Sequence, residues 1–363
     1  MRDVQDAEHV LDEDDADRVR DEEQGVRTMA IRPFAPGDDL ALNDVFHDPQ
    51  TPADLVVRNL FRQDSDSPVT RCVVATLEDS EVLVGAAAIA ESPAHPTRAW
   101  VHVEVAEAER RRGVGRELFD AVRERAADTA IAGLPLRARV STGVSGETAA
   151  LALGFRQLFT TRVVRVDPTA LGGLGADRVE DFQITATGSV ALTQAFAEWY
   201  TGVNRVDPAA EMSLGRFNQR FLSEATGAHG AALLKSDGEI TTFAVSYAQQ
   251  QPGNPPAGQS IATADGVKAL MADDDAVPPT ELTLGSLYDA RLDRASAARQ
   301  ESPEFQQALG DAGALLARLN VDTPVALEVT SEMPVVSALV DGLLEAEKAE
   351  VLYSYVTLGA DPQ

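Results

Sequence analysis

The amino-acid sequence predicts an α/β protein with a mixed β-sheet, built from two units of similar element order. Short apolar segments with the alternation of strands are interleaved with segments that repeat apolar residues at helical spacing. This order restarts after a glycine-rich stretch at residues 170–175. The chain has 363 residues, and one domain usually holds about 100–200 residues. Two domains therefore account for its length.

Residues 1–28 differ in composition from the rest of the chain. They carry acidic clusters at residues 12–15 and 21–23 and almost no aromatic residue. Such a segment cannot bury enough apolar surface to offset the conformational entropy lost on ordering. We therefore expect a disordered acidic tail.

The first domain is predicted over residues 29–168, in the order β-α-β-β-β-α-β-α-β. The strands are predicted at residues 29–32, 70–77, 81–90, 100–105, 136–140 and 155–166. Residues 39–62 are predicted to carry one or two helices, and further helices are predicted at 113–127 and 147–153. The hairpin of the second and third strands is antiparallel, whereas the later strand–helix–strand steps need right-handed crossovers between parallel neighbours. Helices therefore cover both faces of a mixed sheet.

A linker is predicted at residues 169–180 and a second domain at residues 181–363. Its strands are predicted at residues 182–186, 231–234, 240–247, 281–287, 325–329 and 351–358, and its helices at 190–200, 214–222, 303–319 and 335–344. Residues 250–280, rich in Pro, Gly and Asp, predict a long loop. This half is either a degenerate copy of the first or an unrelated α/β domain.

Composition excludes several classes of function. The net charge of −27 repels phosphate backbones and anionic lipid surfaces, so we expect no nucleic-acid or membrane partner. No apolar run reaches the roughly 18–20 residues of a membrane span. The one cysteine, Cys72, lies in an apolar segment, which excludes an intrachain disulfide and a cysteine zinc cluster and predicts a small core residue. We expect a cytoplasmic protein.

The most informative segment is a turn between a predicted strand and a predicted helix, Arg110-Arg111-Arg112-Gly113-Val114-Gly115. Glycines let the backbone approach a ligand, and the helix start offers unpaired N–H groups to an anion. Flanking arginines add charge-assisted contacts to phosphate oxygens. The turn therefore suits a diphosphate. A P-loop sequence is absent, and the dinucleotide-binding pattern fails because Leu118 stands at its third glycine.

This Arg-x-x-Gly-x-Gly turn, after a strand and opening a helix, resembles the acetyl-coenzyme A motif of the GNAT superfamily of N-acetyltransferases. Val105, Leu118 and the pair Gly154-Phe155 match the family pattern, and the resemblance covers residues 29–167. The second half is similar to tandem members of the family but lacks the turn, and residues 292–302 stand in its place. The resemblance implies two GNAT-like domains in tandem, of which only the first binds acetyl-CoA.

The resemblance also implies which residues hold the cofactor. The backbone around Val103, Glu104 and Val105 would pair with the pantetheine arm, and the N–H groups from Arg111 to Arg116 would hold the pyrophosphate. The full set of expected cofactor-binding residues is Val103, Glu104, Val105, Arg110, Arg111, Arg112, Gly113, Val114, Gly115 and Arg116.

Amine acetylation needs a base for the amine proton and an acid for the departing thiolate. By the resemblance, the base comes from the strand before the turn, but its usual positions hold Ala99 and Val101. Strand alternation puts His102 and Glu104 on one face of this strand, so these are the candidate catalytic residues. The usual acid, a Tyr four residues before Gly154, is replaced by Ala150.

Tyr353 and Tyr355, near the C-terminus, are other hydroxyls that could protonate the thiolate if they reach the first half.

Three hypotheses follow for the function. The first is an N-acetyltransferase that moves the acetyl group of acetyl-CoA to an amine of a small molecule or peptide, acting as a monomer or homodimer without a metal. The second is a non-catalytic, acetyl-CoA-binding regulatory protein, because Ala99, Val101 and Ala150 cannot act as acid or base. A third is a scaffold that binds a protein partner through the acidic tail.

Overall fold

The computed structural model describes residues 29–77, 82–175, 178–248, 278–292 and 302–361. The predicted acidic tail lies outside the described residues. So does most of the loop predicted at residues 250–280, together with most of the segment that replaces the turn in the second half.

The first half follows the predicted order of strands and helices. Its strands are β1 (Met29–Pro33), β2 (Ser65–Asp66), β3 (Val69–Leu77), β4 (Leu83–Ala90), β5 (Ala99–Val105), β6 (Leu136–Ser141) and β7 (Arg156–Val166). Its helices are α1 (Asp38–Val45), α2 (Pro52–Arg58), α3 (Val114–Ala126) and α4 (Ser145–Ala152). The strand β2 is a two-residue addition to the prediction.

The second half repeats this order. Its strands are β8 (Phe182–Thr185), β9 (Ala228–Ser236), β10 (Glu239–Tyr247), β11 (Thr280–Ser286), β12 (Val325–Thr330) and β13 (Ala349–Ala360). Its helices are α5 (Val190–Val203), α6 (Leu214–Phe217), α7 (Leu287–Arg291), α8 (Pro303–Leu319) and α9 (Pro334–Glu345). The helix predicted at 214–222 is α6 followed by a π-helical turn, Asn218–Leu222, and α7 was not predicted.

Within the described residues, the strands of both halves form one continuous sheet. Their order is β1-β3-β4-β5-β6-β13-β7-β12-β11-β10-β9-β8, and β2 pairs with β3 beside this path. The last strand of each half crosses over to the other. β13 lies antiparallel between β6 and β7, and β7 in turn pairs with β12. Each half is therefore completed by a strand from the other.

Helices cover the first half of the sheet on both faces. Val114, Leu118 and Val122 of α3 are buried at helical spacing, and they pack with Ala150 of α4 and with Leu358 of β13. The opposite face carries α1, in a cluster that includes the buried Cys72, and α2. The predicted core position of that cysteine is confirmed.

A buried polar contact joins the two halves on the α2 face. The Arg137 guanidinium on β6 lies 2.8 Å from the Asp207 carboxylate, and both side chains are buried. His95 bonds the Asp207 carbonyl through Nδ1 at 2.7 Å and the Tyr200 hydroxyl through Nε2 at 3.1 Å. Because the carbonyl can only accept, Nδ1 carries the proton and Nε2 accepts from Tyr200. Burial, with the charge of Arg137, lowers the pKa of His95 to about 3, so this imidazole stays neutral.

None of the helices in the described ranges is long and apolar enough to cross a membrane.

Candidate functional site

The predicted turn forms at the start of α3, and two residues with positive φ give it its shape. A short 3-10 helix, Glu107–Glu109, follows β5, and the chain then turns into α3. Arg111 and Gly113 both have positive φ, of 64° and 91°. A positive φ is ordinary for glycine, whereas it strains an arginine, and such strain is concentrated at functional sites.

The N-terminus of α3 offers N–H groups to a ligand. The cap residue is Gly113, which has no side chain to satisfy them, and its carbonyl accepts from the N–H groups of Arg116 and Glu117. Among the described residues, the N–H groups of Val114 and Gly115 have no backbone acceptor. A Cβ built on Gly113 would lie 3.7 Å from its nearest neighbour, Glu117 Oε1. The turn therefore has both room and polarity for an anion.

The four predicted arginines are exposed but differ in their contacts. Arg110 donates from Nε to the Val105 carbonyl at 3.1 Å, and Arg112 pairs with Glu109 at 3.0 Å. Arg111 and Arg116 form no ion pair with the residues that the structure describes. These two are consequently the arginines best placed to bind an added phosphate group.

A gap opens between β5 and β6 beside the turn. The two parallel strands pair only at Ala99–Leu136 and Trp100–Arg137, while β5 keeps its pairing with β4 as far as Val105. The β6-facing edge of β5 beyond Trp100 therefore has no strand partner among the described residues. Its backbone is available to an extended ligand that adds hydrogen bonds to a strand edge.

His102 and Glu104 lie on the same face of β5, as the alternation predicts. The valines pack toward α3, whereas these two side chains point toward α2. Glu104 forms a 2.6 Å ion pair with Arg58 of α2, and His102 Nε2 lies 3.5 Å from Glu104 Oε2. Burial alone would raise the pKa of Glu104, but His102 and Arg58 lower it. The His102 ring also packs against Phe61, with 5.0 Å between ring centroids.

Helix α2 spans the gap between β5 and β6. Arg58 holds Glu104 on β5, and the Ser141 hydroxyl on β6 donates to Asp54 at 2.7 Å. Asp54 also completes a capping box with Thr51 at the start of the helix. The sequence signals the helix start, but no local pattern connects Arg58 to Glu104, because 46 residues separate them.

The strand exchange brings two tyrosines of the second half next to β6, on the side away from the gap. Tyr355 of β13 is paired with Ser141 of β6 and donates its hydroxyl to Glu328 at 3.0 Å. Tyr353 packs with Tyr355 and Ala53 of α2. Its hydroxyl oxygen is buried without a hydrogen-bond partner in the described part of the chain. Ala150, by contrast, is a core residue of α4.

In the second half, an additional short helix follows the strand that borders the equivalent gap. Strands β11 and β12 are paired only from Thr280–Val325 to Leu282–Leu327, and α7 begins directly after β11. Asp289 of α7 is buried and accepts from the Val335 N–H at 2.8 Å, at the start of α9. Burial raises the pKa of Asp289 to about 7 despite this hydrogen bond. A carboxylate of the chain itself thus occupies the anion-binding end of α9.

Comparisons with known proteins identify the first half. Residues 39–153 match the family model of the acetyltransferase (GNAT) family. This match covers most of the first half, including β5, the turn and α3.

A solved structure shows a similar fold over most of the chain. A GCN5-related N-acetyltransferase from Sphaerobacter thermophilus is 14% identical with a TM-score of 0.53, covering 92% of this chain and 95% of that chain. A tandem GNAT protein from the clavulanic acid biosynthesis pathway is 16% identical with a TM-score of 0.45, over 92% and 98% of the two chains. A search of curated proteins finds no match.

The predicted resemblance to GNAT proteins and the predicted fold class are confirmed. The GNAT fold supports acyl transfer from an acyl-coenzyme A.

Proposed function

We propose that the protein is an N-acetyltransferase that uses acetyl-CoA and acetylates an amine of a small molecule or peptide. The observation that carries the proposal is the combination, in one half, of an uncapped α3 N-terminus with an open strand edge on β5. The pyrophosphate would bind the turn from Arg110 to Arg116, and the pantetheine arm would pair with the backbone from Val103 to Val105. The acetyl group would then lie in the gap that α2 spans.

His102 and Glu104 supply the base in this proposal. A carboxylate beside Nε2 favours a proton on that nitrogen, which leaves Nδ1 with the lone pair that receives the amine proton. Glu104 itself is a weak base, because Arg58 and His102 lower its pKa, and its role is to orient the imidazole. The amine nitrogen attacks the thioester carbon, and the carbon–sulfur bond breaks as the thiolate departs.

The departing thiolate takes its proton from Tyr353 or from water. Ala150 cannot donate, whereas the Tyr353 hydroxyl is buried and has no hydrogen-bond partner among the described residues. Tyr353 lies on β13, the strand that pairs with β6. If Tyr353 is the donor, Tyr353→Phe lowers kcat and leaves acetyl-CoA affinity unchanged.

Cofactor binding is tested by calorimetric titration of acetyl-CoA into Gly113→Asn. Asn tolerates positive φ, so this change keeps the backbone but fills the anion space with a side chain. We expect affinity to fall roughly tenfold or more, equivalent to the loss of a charge-assisted hydrogen bond. Gly133→Asn is the matched control, because Gly133 also has positive φ and open space around its Cβ position. Equal affinity in both variants would overturn the proposed cofactor site.

The second hypothesis, a non-catalytic regulatory protein, is favoured by Ala150 and by the low pKa of Glu104. Release of free thiol from acetyl-CoA across a panel of amines separates the two. Amine-dependent release supports the enzyme, whereas tight acetyl-CoA binding with no release for any amine supports the regulatory protein.

A further inference from the structure

A cluster of aromatic and basic side chains lines the gap on the face that carries His102 and Glu104. Paired residues of neighbouring strands share a face, so Trp100 of β5 and Arg137 of β6 lie together. Continuing that register along the diverging strands puts Arg139 level with His102. On the other side of β6, β13 contributes Tyr355.

Of the arginines in this cluster, Arg139 is the one that forms no ion pair within the described part of the chain. Its guanidinium carbon lies 4.4 Å from the Tyr355 ring centroid and 5.2 Å from that of Trp100. No carboxylate of the described residues forms an ion pair with it, and its Nε is buried without a hydrogen-bond partner. Its neighbours differ, since Arg137 pairs with Asp207 at 2.8 Å and Arg58 with Glu104 at 2.6 Å.

The contacts of this guanidinium with the Tyr355 and Trp100 rings are cation–π contacts, which do not use up its N–H donors. Stacking on ring faces uses the flat sides of the group, while its N–H donors point outward in the plane. That fork of donors matches the two oxygens of a carboxylate. Tyr355 is itself held by Glu328 at 3.0 Å, so the ring against Arg139 is fixed by the second half.

We propose that Arg139 binds a carboxylate of the acceptor, so that the acceptors are amines that also carry a carboxylate group. The carboxylate binds on the β6 wall of the gap, and the amine faces His102 on the β5 wall. This rests on the proposed function, and it gives the second half a direct part in acceptor binding through Tyr355.

The kinetic test compares matched pairs of acceptors that differ only in the carboxylate. We expect the wild-type protein to acetylate α-amino acids with small, aromatic, acidic or basic side chains with kcat/KM roughly ten- to a hundredfold above their α-amides. Arg139→Met is expected to abolish this preference without changing acetyl-CoA affinity, and Arg139→Lys to keep part of it. Arg123→Met is the matched control, because Arg123 also stacks on an aromatic ring, that of Phe119 on α3.

A binding test decides the proposal independently of turnover. N-acetyl-L-alanine and N-acetyl-L-alaninamide are titrated into the wild-type protein, Arg139→Met and Arg123→Met. Tighter binding of the carboxylate that disappears only in Arg139→Met supports the proposal, even if no amine is acetylated and the proposed function fails. Equal binding of the two probes to the wild-type protein, or a preference that survives Arg139→Met, would overturn it. Unchanged acetyl-CoA affinity of the variants verifies that they are folded.

Discussion

The candidate base consists of His102 and Glu104, which the alternation of side chains along β5 places on one face of the strand. His102 and Glu104 share a face of β5 and lie 3.5 Å apart. The sequence predicted this shared face. It gave no sign of Arg58, which lowers the pKa of Glu104 and so favours the imidazole as the proton acceptor. An ion pair between residues that are far apart in the chain produces no repeating pattern by which the sequence could predict it.

Replacing the two residues separates their roles. We expect His102→Gln to lower kcat by about 10²–10⁴-fold, the usual contribution of a general base. Glu104→Gln is expected to have a smaller effect, because it removes only the group that orients the imidazole. The measurement is steady-state acetylation of the best amine in the panel.

The chain offers a matched control for both substitutions. His47 and Glu107 form an exposed pair at 3.0 Å outside the gap, so His47→Gln and Glu107→Gln should leave kcat unchanged. A larger loss in Glu104→Gln than in His102→Gln would assign the base to the carboxylate instead.

Asp289 predicts a pH dependence of stability. Burial raises its pKa in the folded state to about 7, above the roughly 3.9 of an unfolded aspartate. The folded protein therefore binds more protons between these values, and its free energy of unfolding falls as the pH rises from about 4 to about 7. Asp289→Asn, whose amide oxygen still accepts from Val335, should stabilise the protein at pH 8 by roughly 1–3 kcal/mol.

Urea unfolding at pH 5 and pH 8 measures this effect. Asp341→Asn is the control, because Asp341 is half-exposed and pairs with Arg162 at 2.7 Å. If Asp289→Asn is no more stable than the wild-type protein at pH 8, the buried carboxylate does not titrate as expected.

At the scale of elements, the two gaps of the sheet differ in what fills them. In the first half, α2 spans the gap on one face and the α3 N-terminus is open. In the second half, α7 follows β11 directly, and Asp289 bonds the start of α9. Helix α7 packs closely against α5 at Gly202. A Cβ at this position would lie 2.5 Å from the backbone of Ala290 on α7, so only a glycine allows this contact. Helix α7, which has no counterpart in the first half, thus packs between β11, α5 and α9 beside the second gap.

This difference predicts the stoichiometry of the cofactor. We expect one acetyl-CoA per chain in calorimetric titration, bound by the first half. Gly113→Asn should weaken this single binding event roughly tenfold or more without revealing a second site. Two binding events per chain would show that the second half also binds acetyl-CoA.

Most elements could be predicted from the sequence, because apolar periodicity and turn residues are local signals. The helix predicted at 113–127 is α3, Val114–Ala126, and the strand predicted at 136–140 is β6, Leu136–Ser141. The short α7 escaped prediction because its five residues hold too few turns for a periodicity.

At the scale of the whole molecule, the partners of the last strands could not be predicted. β7 and β13 were both expected as strands, but a strand's neighbour depends on long-range pairing, which its own pattern does not encode. Because β13 lies between β6 and β7, residues near the C-terminus build the core of the first half. Leu358 packs there with α3 and α4.

This exchange predicts that the first half depends on β13. We expect Leu358→Ala to lower the free energy of unfolding by about 2–5 kcal/mol, as for other buried leucines, and to weaken acetyl-CoA binding. Val351→Ala, on the same strand but 43% exposed, should change stability by no more than about 0.5 kcal/mol. Urea unfolding and acetyl-CoA titration measure both. Normal cofactor affinity in a strongly destabilised Leu358→Ala would indicate a self-contained first half.

The position of β13 also fixes the order of events during translation. The turn before α3 is synthesised first, and the strand beside β6 follows more than two hundred residues later. Until then, β6 and β7 present unpaired edges to the cell, which favour aggregation or capture by chaperones. A premature stop that removes only the last dozen residues of the described chain would therefore disable the half of the protein that was made first.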